Sequence, residues 1–408
     1  MLGVGFGPSN LALAVALAER GGRGRFVDAQ PRFGWHRDML LPGTRMQIPF
    51  LKDLATLRNP QSAFTFVNYL SARGRLVDFI GRHDVFPSRH EFHDYLQWAA
   101  DQFAADVRYG HRVVGVTGNE DGFGVRLEPG ETISTRVLVL GTGLHPVLPP
   151  STHPSLRQWH SHQLLSAVAA LGPVERGRFA VVGAGQSAAE VVSYLHRTYP
   201  RAEVHAVFGR YGYSLADDSA FVNRIFDPAA VDEFYGADSA ERQRLLDYHR
   251  SANYSAVDVD LIADLYEREY DERVSGARRL FLHRACRVTG ADEDDAEVRL
   301  GVRNLIDNAI KFSPPGHDIQ VSVSARDGKV IWRVKDDGDG IEPQMLPLLF
   351  DAFVQADRSL ERSRGGLGLG LALVKGLADN LPANVTNLGG SQAATFALSL
   401  FSASANRF

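Results

Sequence analysis

Residues 3–10, which read Gly-Val-Gly-Phe-Gly-Pro-Ser-Asn, constrain the fold of this chain more than any other stretch. An apolar, alanine-rich run over residues 11–18 follows at once and is typical of a helix. Glycines here let a strand turn tightly into a helix, and they let backbone N–H groups approach a pyrophosphate that the helix dipole attracts. Asp28 ends the next apolar run, where an acid binds a ribose hydroxyl. The pattern favours a dinucleotide site over an ordinary glycine turn, with these candidate residues: Gly3, Gly5, Gly7, Pro8, Ser9, Asn10 and Asp28.

A second strand, glycine turn and helix begins at residue 179. It matches G-x-G-x-x-A, with Ala188 as the third small residue. Two such units predict an α/β chain with two Rossmann-like domains, one for FAD and one for NAD(P)H. Arg210 follows the next predicted strand, residues 203–208, and either contacts a 2′-phosphate or is an ordinary surface arginine. The candidate residues for the nicotinamide nucleotide are Gly183, Gly185, Gln186, Ser187, Glu190 and Arg210.

The composition and charge of the chain limit the binding partners and the cellular compartment that we expect. The formal net charge of the 408 residues is -4, which gives no reason to expect nucleic acid or an anionic membrane. Cys286 is the only cysteine, so the chain has no internal disulfide, and we expect a buried, inert thiol in a reducing cytoplasm. No apolar run reaches membrane-spanning length, and we see no signal peptide, so the sequence predicts a cytoplasmic protein.

The stretch after the first unit carries a more specific pattern. It reads PRFGWH from residue 31 and MQIPFLKDLATLRNPQSAFTFVNYL from residue 46. Together with GVGFGPSNLAL, it resembles the flavin-dependent N-hydroxylating monooxygenases, which include the L-ornithine N5- and L-lysine N6-hydroxylases of siderophore synthesis. The resemblance implies that Trp35, His36 and Gln47 border the flavin and that Lys52 binds the substrate carboxylate. A fixed cation is what an amino-acid carboxylate requires in a closed pocket.

Two asparagines complete the site that the resemblance implies. Asn223 and Asn253 match asparagines of the family's substrate pocket, and the Asn-Tyr-Ser-x-Val-Asp form at Asn253 looks more like the ornithine branch than the lysine branch. In such enzymes NADPH reduces FAD, the reduced flavin takes O₂, and the uncharged terminal amine receives an oxygen atom. The partners implied are therefore an amine substrate and O₂, while a homo-oligomer is left open. We nominate no protein nucleophile and no metal in this part of the chain.

From about residue 292 the pattern changes. Residues 304–314, 336–341, 349–353 and 364–373 resemble, in order, the N, G1, F and G2 boxes of the ATP-binding domain of sensor histidine kinases, an α/β sandwich of the GHKL class. Asn308 would hold Mg²⁺ through ATP, Lys311 would meet phosphate, and Asp337 would accept from the adenine amino group. Residues 393–400 resemble the last strand of that fold, whereas residues 379–390 depart from it and blur the preceding strand. The candidate ATP-binding residues are Asn304, Asn308, Lys311, Asp337, Gly338, Gly340, Gly366, Gly368 and Gly370.

Each resemblance is incomplete. The kinase part lacks a helical hairpin with a phosphoacceptor, because His283 sits in a strand-like run without the required acidic or Asn neighbour, so we expect ATP binding without autophosphorylation. The monooxygenase part lacks its usual C-terminal segment, which normally completes the FAD domain, so we expect exposed apolar faces, an unpaired strand edge and weakened FAD binding. The sequence predicts an FAD domain over residues 1–150, an NADPH and substrate domain over 151–290, and an ATP-binding domain over 291–408.

Three functions agree with this organisation. The chain is a hydroxylase with an attached ATP domain, an ATP-binding module, or a non-functional chimera.

Overall fold

The structure is a computed structural model. It describes residues 1–128, 130–149, 152–172, 174–216, 219–249, 256–284, 286–294 and 298–303, and beyond them the four strand segments 319–326, 329–336, 383–387 and 395–401. The chain divides into two compact units. The first comprises Met1–Val147 and His160–Ala170, and the second comprises Leu148–Trp159 and Leu171–Phe408. No described helix is both long and apolar enough to cross a membrane.

The first unit is built on two sheets and a layer of helices. Its elements are β1 (Leu2–Val4), α1 (Pro8–Ala18), β2 (Arg25–Val27), α2 (Phe66–Ala72), α3 (Leu76–Gly81), α4 (Arg89–Asp101), β3 (Val107–Arg108), β4 (Val113–Asn119), β5 (Gly122–Leu127), β6 (Thr132–Thr135), β7 (Leu138–Leu140) and α5 (Leu164–Leu171). A parallel sheet has the order β3-β2-β1-β7, and an antiparallel sheet has the order β4-β5-β6. The predicted strand–turn–helix at the N-terminus is confirmed.

An aromatic core holds the helices of the first unit. Phe66, Tyr69 and Tyr95, from α2 and α4, are fully buried in one cluster with Leu11 and Val15 of α1. The rings meet edge-on or tilted, as between Phe66 and Tyr95, whose centroids lie 5.3 Å apart. This core packs against the buried side of α1, the helix that directly follows the first glycine turn.

Two helices differ from the sequence expectation. The apolar and aromatic residues of 64–76 and 92–103 predict one helix in each range. In the first range, α2 ends at Ala72, because Gly74 adopts a left-handed φ of 67° and the chain restarts as α3. The expected helix over residues 92–103 begins earlier, as α4, because Ser88 caps it by accepting a hydrogen bond of 3.1 Å from the Glu91 N–H. The end of α2 is therefore set by a glycine, and the start of α4 is set by a serine cap.

Strand β7 forms one edge of the parallel sheet in the described part of the chain. It pairs with β1 alone, with Leu138 opposite Leu2 and Leu140 opposite Val4. Leu140 is 66% exposed, and Val137, just before the strand, is 52% exposed. The expected unpaired edge with exposed apolar side chains is thus present among the described residues.

The second unit begins with a three-stranded parallel sheet. Its elements are β8 (Arg178–Val182), α6 (Gln186–Thr198), β9 (Glu203–Val207), α7 (Pro228–Gly236), α8 (Ser239–Tyr248), α9 (Val259–Ser275), β10 (Leu280–His283), β11 (Arg287–Glu293) and β12 (Val298–Arg303). The sheet has the order β10-β9-β8, and β11 and β12 form an antiparallel hairpin. The buried face of α6, with Val191, Val192 and Leu195, packs on this sheet. The second predicted strand–turn–helix is confirmed.

Four further strands form an antiparallel sheet. They are β13 (Ile319–Arg326), β14 (Lys329–Asp336), β15 (Ala383–Asn387) and β16 (Thr395–Phe401), in the order β13-β14-β16-β15. The expected last strand is confirmed as β16. The expectation of a blurred preceding strand was wrong, because β15 pairs with β16 over five residue pairs from Ala383–Leu400 to Asn387–Phe396.

Candidate functional site

The first glycine turn joins β1 to α1. Gly5 has a φ of 81°, and a Cβ built on it would lie 2.2 Å from the carbonyl oxygen of Gly141, so only glycine fits. Gly7 is the N-cap of α1 and has no side-chain cap, Pro8 follows at the first helical position, and a Cβ on Gly7 would meet nothing within 4 Å. A ligand could therefore approach Gly7 closely, at the start of a helix whose first turn includes Ser9 and has no side-chain cap, which suits a pyrophosphate.

Asn10 supports this turn from inside. Its side chain is buried, and its Nδ2 donates to the carbonyl oxygens of Val4, at 3.2 Å, and Gly5, at 2.6 Å. The amide also lies where a Cβ on Gly141 would be. Asn10 therefore fixes the carbonyls of the turn, and its contact with FAD stays a prediction.

Asp28 is also engaged by backbone groups. Its Oδ2 accepts from the Phe6 N–H at 2.7 Å, and its Oδ1 accepts from the Gln30 N–H at 2.7 Å. Each carboxylate oxygen has a second lone pair, so both retain the capacity to accept from a hydroxyl. Asp28 thus joins β2 to the glycine turn at the place where the ribose is expected.

Trp35 and His36 form a corner of the first unit. Their rings meet edge to face with centroids 4.6 Å apart, and Trp35 rests on Phe92 of α4 at 5.8 Å. His36 has a left-handed φ of 48° and begins the 3₁₀ turn Arg37–Met39. The corner is therefore a strained backbone that needs support from its neighbours.

That support comes from a segment that the sequence analysis missed. Residues His160–Ala170, which we call the arm, belong to the first unit although the chain on both sides of them belongs to the second. Ser166 Oγ donates to Asp38 Oδ1 at 2.7 Å, and the His162 ring meets the His36 ring edge-on at 5.7 Å. Only the repeated histidines, in Trp-His-Ser-His-Gln from residue 159, marked this segment in the sequence.

Lys52 and Gln47 lie exposed on the long loop before α2. The next residue, Asp53, organises this loop, because its carboxylate accepts from the N–H groups of Ala55 at 2.9 Å, Thr56 at 2.6 Å and Phe66 at 2.7 Å. The buried Tyr95 hydroxyl accepts from the Leu54 N–H at 3.1 Å and donates to the Phe64 carbonyl at 2.8 Å. Neither residue was predicted, although Asp-x-x-Thr is a local turn signal.

The second glycine turn joins β8 to α6. Gly183 has a φ of 136°, and a Cβ built on it would lie 3.3 Å from the Ala188 Cβ, so the third small residue is needed for close packing of helix and strand. Gly185 is the N-cap of α6 and has no side-chain cap. Ser187 is exposed in the first turn, whereas Glu190 is buried. The first turn of α6 thus suits a nucleotide phosphate.

Gln186 makes three hydrogen bonds within the second unit. Its Nε2 donates to Glu190 Oε1 at 2.9 Å and to Asp258 Oδ2 at 2.7 Å, and its Oε1 accepts from the Asp258 N–H at 2.9 Å. Both N–H groups of the amide are therefore used within the protein.

The segments that lead to the two asparagines meet nearby. Leu215 and Val257 form a parallel bridge, in which the Val257 N–H donates to the Ser214 carbonyl at 2.9 Å. Asn223 is half-buried in the 3₁₀ turn Val222–Phe226, and Arg210 donates to Ser214 Oγ at 3.3 Å. Asn253 lies outside the described residues.

Of the remaining predicted residues, Cys286 and His283 lie in the described part of the chain, and the ATP-binding residues do not. Cys286 is buried as expected, and burial raises the pKa of its thiol. His283 lies on β10 with its Nε2 3.0 Å from His205 Nδ1, and burial, with His205 and Arg278 nearby, lowers its pKa to about 4. All the candidate ATP-binding residues lie outside the described residues: Asn304, Asn308, Lys311, Asp337, Gly338, Gly340, Gly366, Gly368 and Gly370.

Comparison with known proteins gives the family of each part. A curated relative, the L-ornithine N(5)-monooxygenase of Burkholderia cepacia, is 41% identical over 76% of this chain and 75% of its own length. The L-ornithine N(5)-oxygenase of Arthrobotrys oligospora is 43% identical over 70% of this chain, but the match covers 64% of its length. A solved structure, the ornithine N-hydroxylase of Kutzneria sp. 744 with reduced FAD, NADP⁺ and L-ornithine, matches with a TM-score of 0.71 and 42% identity over 75% of this chain and 76% of that one.

Two family models match the chain and overlap over residues 293–313. The model of the histidine kinase-, DNA gyrase B- and HSP90-like ATPases matches residues 293–400. The model of the L-lysine 6-monooxygenase/L-ornithine 5-monooxygenase family matches residues 1–313, which is most of the chain. The resemblances found in the motifs are thus confirmed for both parts. By its longer match, which covers both glycine turns, the chain belongs to the L-lysine 6-monooxygenase/L-ornithine 5-monooxygenase family of flavin-dependent monooxygenases.

Proposed function

We propose that this chain is an FAD- and NADPH-dependent enzyme that hydroxylates the side-chain amine of L-ornithine, or of a related amino acid or diamine, in siderophore biosynthesis. The observation that carries the proposal is the pair of glycine turns, each opening a helix that lacks a side-chain cap. The ornithine-hydroxylating relatives support the choice of substrate.

The first unit would hold FAD. Gly3, Gly5, Gly7 and Ser9 line the turn for the pyrophosphate, Asp28 accepts from the ribose, and the Trp35–His36 corner with Gln47 borders the ring system. When bound, the flavin supplies the reaction with O₂, and the protein positions the amine and excludes water. The Asn10 Nδ2 holds the turn by donating to two carbonyls, and its Oδ1 would be the side-chain atom that can contact the cofactor.

Lys52 would bind the substrate carboxylate. Asp53 fixes the backbone directly after Lys52. The ammonium group at the end of the Lys52 side chain supplies a compact positive charge for the carboxylate. An amine resembling that of lysine has a pKa near 10.4 in water, so the site must favour its neutral form. We assign Asn253 to the α-amino or carboxylate end of the substrate, and Asn223 to the substrate and the nicotinamide ribose, because an amide side chain can both donate and accept hydrogen bonds.

The second unit would hold NADPH. Gly183, Gly185 and Ser187 would face the phosphates. Arg210, three residues after the end of β9, would contact a 2′-phosphate. Glu190 is buried and bonded to Gln186, so both of these side chains stabilise the turn rather than reach the nucleotide.

The C-terminal part supports a second candidate function, binding of ATP with Mg²⁺ coordinated through Asn308. The antiparallel sheet β13-β14-β16-β15 and the match over residues 293–400 favour it. Asp337, which would recognise adenine, directly follows the end of β14. Without a phosphoacceptor hairpin, we propose nucleotide binding and no autophosphorylation.

The join between the two parts is expected to impair hydroxylation. Among the described strands, none pairs with the outer side of β7, and apolar side chains such as Leu140 are exposed there. We therefore expect FAD to bind more weakly than in a closed flavoprotein domain. A chain whose two parts are both inactive, a non-functional chimera, is the limiting case.

One experiment separates these functions. The purified chain is incubated with excess FAD and desalted, and its visible spectrum is recorded, followed by O₂-dependent NADPH oxidation and hydroxylamine formation with L-ornithine, L-lysine and diamines. Retained flavin with ornithine-dependent product formation supports the proposal. Colourless protein that binds a fluorescent ATP analogue supports the second candidate, and protein that binds neither nucleotide is the chimera.

A further inference from the structure

We propose that Asp258 is a positioning residue that joins the NADPH turn to the chain segments leading to the substrate asparagines, so that the two ligands bind cooperatively. This inference rests on the proposed function, because it takes the turn before α6 as the NADPH site and Asn223 and Asn253 as substrate ligands. Asp258 itself touches neither ligand.

The first step is the reciprocal pair between Gln186 and Asp258. The Gln186 amide donates to the Asp258 carboxylate at 2.7 Å and accepts from its backbone N–H at 2.9 Å. A second bond of the same amide, to Glu190, holds it against a side chain that is only 5% exposed. Gln186 is the first residue of α6, so Asp258 is fixed directly to the turn that faces the phosphates.

The second step is the unusual use of the Asp258 side chain. Asp258 is the N-cap residue of α9, a position where a carboxylate commonly accepts from its own helix. It makes no such capping bond. The carboxylate bonds instead to Gln186, 72 positions away in the sequence. The start of α9 is therefore located by α6 rather than by its own cap.

The third step connects Asp258 to the asparagine segments. Val257 is fully buried and bridges to Leu215: its N–H donates to the Ser214 carbonyl at 2.9 Å, and its carbonyl accepts from the Ala216 N–H at 3.2 Å. The chain after Ala216 leads to Asn223, and the chain before Val257 leads back to Asn253. A displacement of the α6 terminus therefore acts, through Asp258 and Val257, on the Leu215–Val257 bridge, from which the chain continues towards Asn223.

Cooperative binding follows from this connection. A dinucleotide that orders the first turn of α6 also orders Gln186, Asp258 and the Leu215–Val257 bridge. The segment that leads to Asn223 therefore starts from a backbone that is already held when the amine substrate binds. Linkage requires the reverse effect to be equal, so the substrate tightens dinucleotide binding by the same factor.

The test uses the FAD-loaded full chain. The dissociation constant of NADP⁺ is measured with and without saturating L-ornithine in the wild type and in Gln186→Met, Asp258→Ala and Asp258→Asn. We expect a coupling factor of about 5-fold or more in the wild type, about 1 in Gln186→Met and Asp258→Ala, and recovery in Asp258→Asn, which keeps an oxygen acceptor. The control is Gln243→Met, which removes an exposed Gln–Asp hydrogen bond on α8 of the same unit.

The outcomes distinguish this inference from the proposed function. Independent binding of NADP⁺ and L-ornithine in the wild type, or coupling in Gln186→Met equal to that in Gln243→Met, overturns the inference. If the wild type binds no NADP⁺ at all, the proposed function fails, and amide hydrogen exchange over residues 256–262 then decides the inference. We expect exchange there at least about 10-fold faster in Gln186→Met than in Gln243→Met, and equal rates overturn it.

Discussion

Ser166 donates a hydrogen bond of 2.7 Å to Asp38, 128 positions earlier in the chain. Asp38 lies in the 3₁₀ turn that starts at His36, and Ser166 lies on α5 in the arm. The chain on both sides of the arm belongs to the second unit, and this bond links the arm to the proposed flavin corner. The corner has a left-handed residue, so its geometry depends on such support.

Ser166→Ala should therefore loosen FAD. The lost hydrogen bond is exposed and carries a charged acceptor, so we expect a cost of about 1 kcal/mol, or a rise of about 5-fold in the FAD dissociation constant. Flavin fluorescence quenching on titration of the apoprotein measures this. The control Ser161→Ala changes a serine of the same arm and should leave the constant unaltered. Equal effects of the two substitutions would show that the Ser166 bond does not support the corner.

Tyr95→Phe should destabilise the first unit. The hydroxyl is buried and serves both the Leu54 N–H and the Phe64 carbonyl, so its removal leaves two backbone groups without this partner. We expect a loss of about 1–3 kcal/mol in the free energy of unfolding, read from the midpoint of a urea transition at constant slope. Tyr235→Phe removes a hydroxyl from a side chain that is 83% exposed and should change the midpoint little.

Lys52→Met should raise the KM for L-ornithine with little effect on FAD retention. A charge-assisted contact to a carboxylate contributes about 1.5–3 kcal/mol to binding, so its loss corresponds to a rise of about 10- to 100-fold in KM. Steady-state NADPH oxidation against substrate concentration measures it, with cadaverine, which has no carboxylate, as the comparison substrate. An equal loss of kcat/KM for both substrates would contradict a role in binding the carboxylate.

The sequence predicted the parts of this structure that depend on residues close to one another in the sequence. Both glycine turns follow from spacing and from the apolar runs beside them. An unpaired strand edge was expected from the change of pattern after about residue 292, and β7 is such an edge among the described residues. The split at Gly74 was missed because an apolar pattern continues across it, whereas a single left-handed glycine ends the helix. Here a local backbone preference overrode the periodicity.

The connections between distant segments could not be predicted. Gln186 was expected to contact NADPH, because it follows the second glycine turn, but its amide is used by Glu190 and by Asp258. Asp258 is 72 positions away, and no local pattern in one sequence announces such a pair. The same holds for Ser166 and Asp38, so the residues that position the site emerge only from tertiary structure.

His283 should make the stability of the protein pH-dependent. Its pKa in the folded protein is about 4, lowered by burial and by the nearby His205 and Arg278, against an ordinary value of 6.5. The unfolded chain therefore binds a proton that the folded chain does not, so this contribution to stability is complete above pH 6.5 and is lost as the pH falls towards 4. Allowing for partial exposure, we expect a loss of about 1–2 kcal/mol. Urea unfolding at pH 7 and pH 5 should show a smaller difference in His283→Gln, while the exposed His153→Gln should behave as the wild type.

Leu140→Lys should reduce self-association through the open edge of the parallel sheet. Leu140 ends β7 and is 66% exposed, on a strand whose other side is paired with β1. A lysine on an edge strand opposes pairing with another chain, because the ammonium group would have to lose its water. We expect static light scattering at a fixed concentration and the fluorescence of a bound hydrophobic dye both to fall by about 2-fold or more. Val77→Lys is the matched control, since Val77 is 81% exposed but lies on α3, where no strand edge is available. If both lysine variants reduce scattering equally, added charge alone explains the change and the β7 edge is not the surface through which the chains associate.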